Sequence, residues 1–127
     1  MSIIIKQNGI RYLVNGESHI AKIIASENAK GDIFIPRSIN HKCINYEINE
    51  ISKDSFKNSQ IKSLTFAEDS NIISIPKNSF AFSTIEKLHI SKNILRLENG
   101  WCSQTPNLKS ITVSPKMPIF KFITINF

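Results

Sequence analysis

Four glycines, two cysteines and one tryptophan are all that the chain has of those residues, and each scarcity excludes something. Among so few glycines there is no G-x-G-x-x-G, no G-x-x-x-x-G-K and no G-x-S-x-G, so dinucleotide, P-loop and α/β-hydrolase chemistry lack their backbone cradles. Cys43 and Cys102 lie too far apart in the chain and in expected position for a disulfide to be expected. His19, His41 and His89 have no second His, Cys or carboxylate at ligand spacing, so no metal site is expected. Cys43 shares a predicted strand face with His41, but no third orienting group completes a nucleophilic site. No apolar run approaches the ~20 residues of a membrane helix. The amino terminus is apolar only over residues 1–5 before Lys6 and Gln7, which is not a signal-peptide design. No Asn-x-Ser/Thr sequon occurs. No apolar stripe at i, i+3, i+4, i+7 is sustained, so no helix beyond two turns is expected. An enzyme, a cofactor and a bound metal are all outside this reading.

What remains is a chain of 127 residues, one domain by length, with 41% apolar residues and a net charge of +6. The excess of Lys and Arg could favour a polyanion, either glycan or nucleic acid, but no run of five basic residues occurs. Solvated surface charge is the simpler account, nucleic acid is disfavoured, and weak polyanion binding stays an alternative.

Residues 48–113 say nearly the same thing three times. Ile48-Asn49-Glu50-Ile51 leads to Phe56, Ile61, Leu64 and Phe66. The phrase returns as Ile72-Ile73-Ser74-Ile75 with Phe80, Ile85, Leu88 and Ile90. Its third form is Ile94-Leu95-Arg96-Leu97 with Cys102 (beside Trp101), Leu108, Ile111 and Val113. Ile61 and Ile85 are 24 residues apart, Ile85 and Leu108 are 23. A period in the twenties marks a leucine-rich-repeat solenoid. Leu64-x-Phe66, Leu88-x-Ile90 and Ile111-x-Val113 read as short strands. The polar residues ahead of Phe56 and Phe80 predict a short helical turn in each coil. Cys102 occupies a large-residue position and reads as a buried small hydrophobe.

Upstream, Asn15-Gly16-Glu17-Ser18 between two apolar runs predicts a hairpin that caps the solenoid. Ile33-Phe34-Ile35-Pro36 copies the strand phrase but lies 31 residues before Leu64, so an insertion of about seven residues is expected. A second small hairpin, running through Ser38-Ile39 and back through Ile44-Asn45-Tyr46-Glu47-Ile48, accounts for it. The domain therefore divides into a hairpin cap (1–30), repeats (31–117) and a carboxy-terminal strand (118–127). In that last strand Phe120, Phe122, Ile123, Ile125 and Phe127 form an apolar edge, a candidate surface for self-association into a homo-oligomer.

The phrase Ile-x-x-Ile-(x)4-Phe-(x)4-Ile-x-x-Leu-x-Phe, with its lead-in Gly31-Asp32-Ile33-Phe34-Ile35-Pro36, resembles the BspA-like leucine-rich repeats over residues 31–117. The resemblance implies a β-dominated solenoid of three to four repeats, with a protein-binding role in adhesion to host cells or extracellular matrix. It also implies a cell surface, whereas the missing leader and sequons point to the cytoplasm, and the location stays open. The third copy departs from the pattern at Trp101-Cys102.

In such a solenoid the strand side chains that point away from the core line one face in register. Here they are Phe34, Ser63, Thr65, Lys87, His89, Ser110 and Thr112, a polar and mildly basic ladder for a protein partner. The bland account is that Ser and Thr simply suit exposed strand positions.

Overall fold

The computed structural model describes residues 2–113 and 117–118. The element order is β1 (Ser2–Gln7), β2 (Ile10–Asn15), β3 (Ile20–Ile24), β4 (Lys30–Ile35), β5 (Ser38–His41) and β6 (Ile44–Ile51). It continues with β7 (Gln60–Phe66), β8 (Ser74–Ile75), β9 (Lys87–Ile90), β10 (Arg96–Leu97), β11 (Ser110–Val113) and β12 (Met117–Pro118). From β4 onward the chain winds through about three turns of a solenoid.

One side of the solenoid is a five-stranded sheet in the order β12-β11-β9-β7-β4, parallel except for the β11–β12 pair. Register is set by burial: Leu64, Leu88 and Ile111 face inward and pair laterally, with Ile33 beside Leu64. Alternate residues must then face outward. A second side is the two-stranded parallel pair of β8 and β10.

The third side is a stack of turns. Asp54, Phe56 and Asn58 donate backbone N–H bonds to Lys77, Ser79 and Ala81 at 3.1, 2.8 and 3.0 Å. Phe80 and Phe82 do the same to Trp101 and Ser103, both at 2.9 Å. Among the described residues there is no helix, so the short helical turns expected here take another form. Single i→i+3 bonds close each turn, such as Lys57 N–H to Asp54 and Ala81 N–H to Asn78. Left-handed residues then break the run, at Asp54, Asn58, Asn78, Phe82 and Gln104, with φ of 61, 63, 56, 59 and 55°. A helix needs consecutive right-handed residues, and this backbone alternates instead.

Inside that side the rings of Phe56 and Phe80 stack at 5.6 Å and 14°. Trp101 continues the column edge-on to Phe80, at 6.4 Å and 82°. Cys102 is buried beside it, as its place in the repeat predicts. Burial pushes its thiol up to about 11, while a side-chain hydrogen bond with Thr105 pulls the other way. Some hydroxyls buried in the turns bond their own chain, among them Ser79 Oγ, which donates to Pro76 C=O at 2.7 Å, and Thr105 Oγ1, which donates to Cys102 C=O at 2.6 Å.

The amino-terminal strands form a sheet in the order β1-β2-β3-β6-β5. The β2–β3 hairpin matches expectation, with Asn15 Oδ1 accepting the N–H groups of Glu17 and Ser18 at 2.8 and 3.0 Å. Ahead of it lies an unexpected hairpin, β1–β2, turning at Asn8-Gly9 with φ of 53 and 81°. Strand β3 pairs in parallel with β6 and joins this sheet to the first coil. The predicted insertion is the β5–β6 hairpin, turning at Lys42-Cys43.

Candidate functional site

The outward face of β4, β7, β9 and β11 carries two rows of side chains. Backbone register sets Asp32, Ser63, Lys87 and Ser110 side by side in one row. Phe34, Thr65, His89 and Thr112 form the other. All seven ladder residues predicted from sequence therefore stand on one face, and none is buried.

The rows are cross-linked laterally. Ser63 Oγ donates to Asp32 Oδ1 at 2.7 Å, and His89 Nδ1 lies 2.6 Å from Thr112 Oγ1. Asp32 was not among the predicted residues, although the phrase that aligns Ile33 with Leu64 also sets Asp32 beside Ser63. At the strand entrances a salt bridge joins Lys109 Nζ to Glu86 at 3.4 Å. Exposed pairs of this kind contribute under about 1 kcal/mol each, so they align the rows more than they stabilise the fold.

At the strand exits the face deepens into an open groove of about 790 Å³. Its lining is Phe34, Thr65, Phe66, Ala67, Glu68, Asp69 and His89. Phe66 is buried, whereas Phe34 is 59% exposed. The acidic residues at the mouth were also missed from sequence. Their available signal was the Glu68-Asp69 pair directly after a predicted strand end.

Among the described residues no three His, Cys, Asp or Glu side chains converge to hold a metal ion. Nor is any helix there long and apolar enough to cross a membrane. Cys43 is exposed, in the turn between β5 and β6. The candidate self-association residues Phe120, Phe122, Ile123, Ile125 and Phe127 lie outside the described residues.

A family model described as "BspA type Leucine rich repeat region" matches residues 32–122 in six copies, well over half of the chain. No curated protein matches the sequence. Among solved structures, the pneumococcal vaccine antigen PcpA is similar with a TM-score of 0.61 and 21% identity, over 88% of this chain and 38% of that one. A leucine-rich cell surface protein from Faecalibacterium prausnitzii A2-165 gives a TM-score of 0.45 and 15% identity, over 87% of this chain and 42% of that one. The chain thus spans less than half the length of either protein. The likeness to PcpA is one of fold.

Proposed function

This chain belongs to the BspA-type leucine-rich-repeat family, and we propose that it is a non-enzymatic module binding a protein partner across the ladder of β4, β7, β9 and β11. The observation that carries this reading is the pair of outward rows held in register by parallel strands. Their side chains are preset by the backbone and by lateral hydrogen bonds, so little freedom is lost when a partner docks. Phe34 and His89 are the anchors, since aromatic groups dominate interface energies. Adhesion at a cell surface, the setting that the family resemblance implies, is the role we assign to it.

The test is capture from host-cell and matrix extracts with the whole chain as bait. Substituting Phe34, Lys87 and His89 together by alanine should abolish capture while circular dichroism and melting temperature stay unchanged. Unaltered capture would refute the ladder as the binding face. Binding that persists at moderate salt separates this reading from polyanion binding, in which affinity falls steeply with salt.

A further inference from the structure

Phe82 occupies a place in the turn stack that suits a small polar residue. It is the third residue of a turn that Ser83 N–H closes on Phe80 C=O at 3.1 Å, and its φ is 59°. Positive φ at that place favours Gly or Asn, and one coil earlier the equivalent residue is Asn58, with φ of 63°. The bond from Phe82 N–H to Ser103 C=O holds the backbone, but asparagine would make it equally well. Nor does the core need the ring, which is 55% exposed. A left-handed aromatic residue facing outward costs the fold free energy, and strain of that kind collects where ligands bind.

Positive charge accompanies the ring. Lys57 Nζ lies 5.9 Å from its centroid. Lys53 and Lys77 are exposed at equivalent positions of the same two turns, which the bond from Asp54 N–H to Lys77 C=O sets side by side. Among the described residues none of the three lysines is in a salt bridge. Asp54 is the one carboxylate in these two turns, and it too is in none.

We infer that this turn face is a second docking surface, for an acidic segment of a protein partner that lays an apolar side chain on Phe82. Its carboxylates meet the ammonium groups of Lys53, Lys57 and Lys77, and charge complementarity selects the acidic class. A single-stranded nucleic acid would use a run of aromatic platforms, whereas the equivalent places in the other coils hold Asn58 and Gln104. A peptide is therefore the occupant. The inference goes beyond the ladder reading and is independent of it, since these residues lie on the turn side of the solenoid.

The test is a nuclear magnetic resonance titration of the whole chain with two acetylated, amidated peptides. One has a single leucine flanked on each side by two glutamates; the other has glutamine in place of every glutamate. The acidic peptide should shift the amides of Lys57, Ala81 and Phe82 and bind about tenfold tighter than the neutral one, the sum of three exposed ion pairs. Phe82→Asn should raise the melting temperature, because the strain is relieved, and should weaken the acidic peptide several-fold. The variant lacking Phe34, Lys87 and His89 should bind it as the parent does. Equal binding of both peptides, shifts confined to other faces, or undiminished affinity in Phe82→Asn would overturn the inference. So would a lower melting temperature in Phe82→Asn, which would make the ring structural, or loss of binding in the triple ladder variant. Tighter binding of an oligothymidine than of the acidic peptide at these amides would make nucleic acid the occupant and overturn it too.

Discussion

Replacing Phe80 by alanine would test whether the ring column couples the coils. Phe80 is fully buried, stacked on Phe56 at 5.6 Å and met edge-on by Trp101 at 6.4 Å. Truncating a buried Phe to Ala costs about 3–5 kcal/mol. Two lost ring contacts, at about 0.5–1.5 kcal/mol each within that total, argue for the upper end. Domains of this kind have only about 5–15 kcal/mol to lose. With an m-value of about 1.5 kcal/mol/M, the urea midpoint should fall by about 2–3 M.

Because each coil of a solenoid touches only its neighbours, the damage should be local as well as large. Trp101 is the only tryptophan and lies one coil beyond Phe80. Its fluorescence should therefore change before far-ultraviolet circular dichroism does in Phe80→Ala, while the two probes coincide in the parent chain. Phe56→Ala should cost a similar amount without advancing the Trp101 signal, since Phe56 contacts the column only through Phe80. A midpoint within about 0.5 M of the parent for Phe80→Ala, or the same probe order in both variants, would refute the column as the coupling element.

Gly100→Ala should be the costlier of two glycine changes in thermal melts. Both Gly100 and Gly31 sit at left-handed φ, 73 and 72°, where a side chain costs about 1–2 kcal/mol. Only at Gly100 would the new Cβ also lie 2.5 Å from Asn78 Oδ1 and 3.1 Å from Ser103 Oγ. Thiol titration should find one fast cysteine in the native chain, exposed Cys43, and a second only in urea, buried Cys102. Cys102 rises from 9.0 to about 11 and Tyr12 from 10.0 to about 12, both through desolvation. Each stays protonated in the folded state while its unfolded form ionises. Their contribution is thus whole below pH 9.0 and lost as pH climbs through 11 and 12, which chemical denaturation at stepped pH would show. Ending the chain after Pro118 should lower the sedimentation mass if the carboxy-terminal segment drives self-association; equal monomer masses for both forms would remove that role.

The repeat was readable because every coil must bury the same positions. Ile61, Ile85 and Leu108 lie in the core, and Leu64, Leu88 and Ile111 pair where the period predicts. The turn side was harder to read. Asn is an ordinary left-handed residue, but nothing local marks Phe82 as one, and its backbone is held by the ladder to Ser103. The β1–β2 hairpin had its signal in Asn8-Gly9, where the amino terminus reads as a short apolar run. The β3–β6 pairing had none, because it joins residues such as Ala21 and Ile48 with no local pattern to announce it.

The ladder face depends on register as well as on period. Lys30 pairs with Gln60 and Gly31 with Ile61, but Asp32 pairs with Ser63, so Lys62 is left as the bulged residue of β7. Had the first register continued, Phe34 would lie beside Leu64, which is fully buried, and Ile33 and Ile35 would face water. A one-residue slip inverts every side chain of a strand. The bulge, at a glycine with left-handed φ, is what turns Ile33 and Ile35 inward and stands Phe34 on the groove beside Thr65. The register after the bulge is the one the sequence phrase requires, because Ile33-x-Ile35 then takes the same inward places as Leu64-x-Phe66 and Phe34 stands beside Thr65.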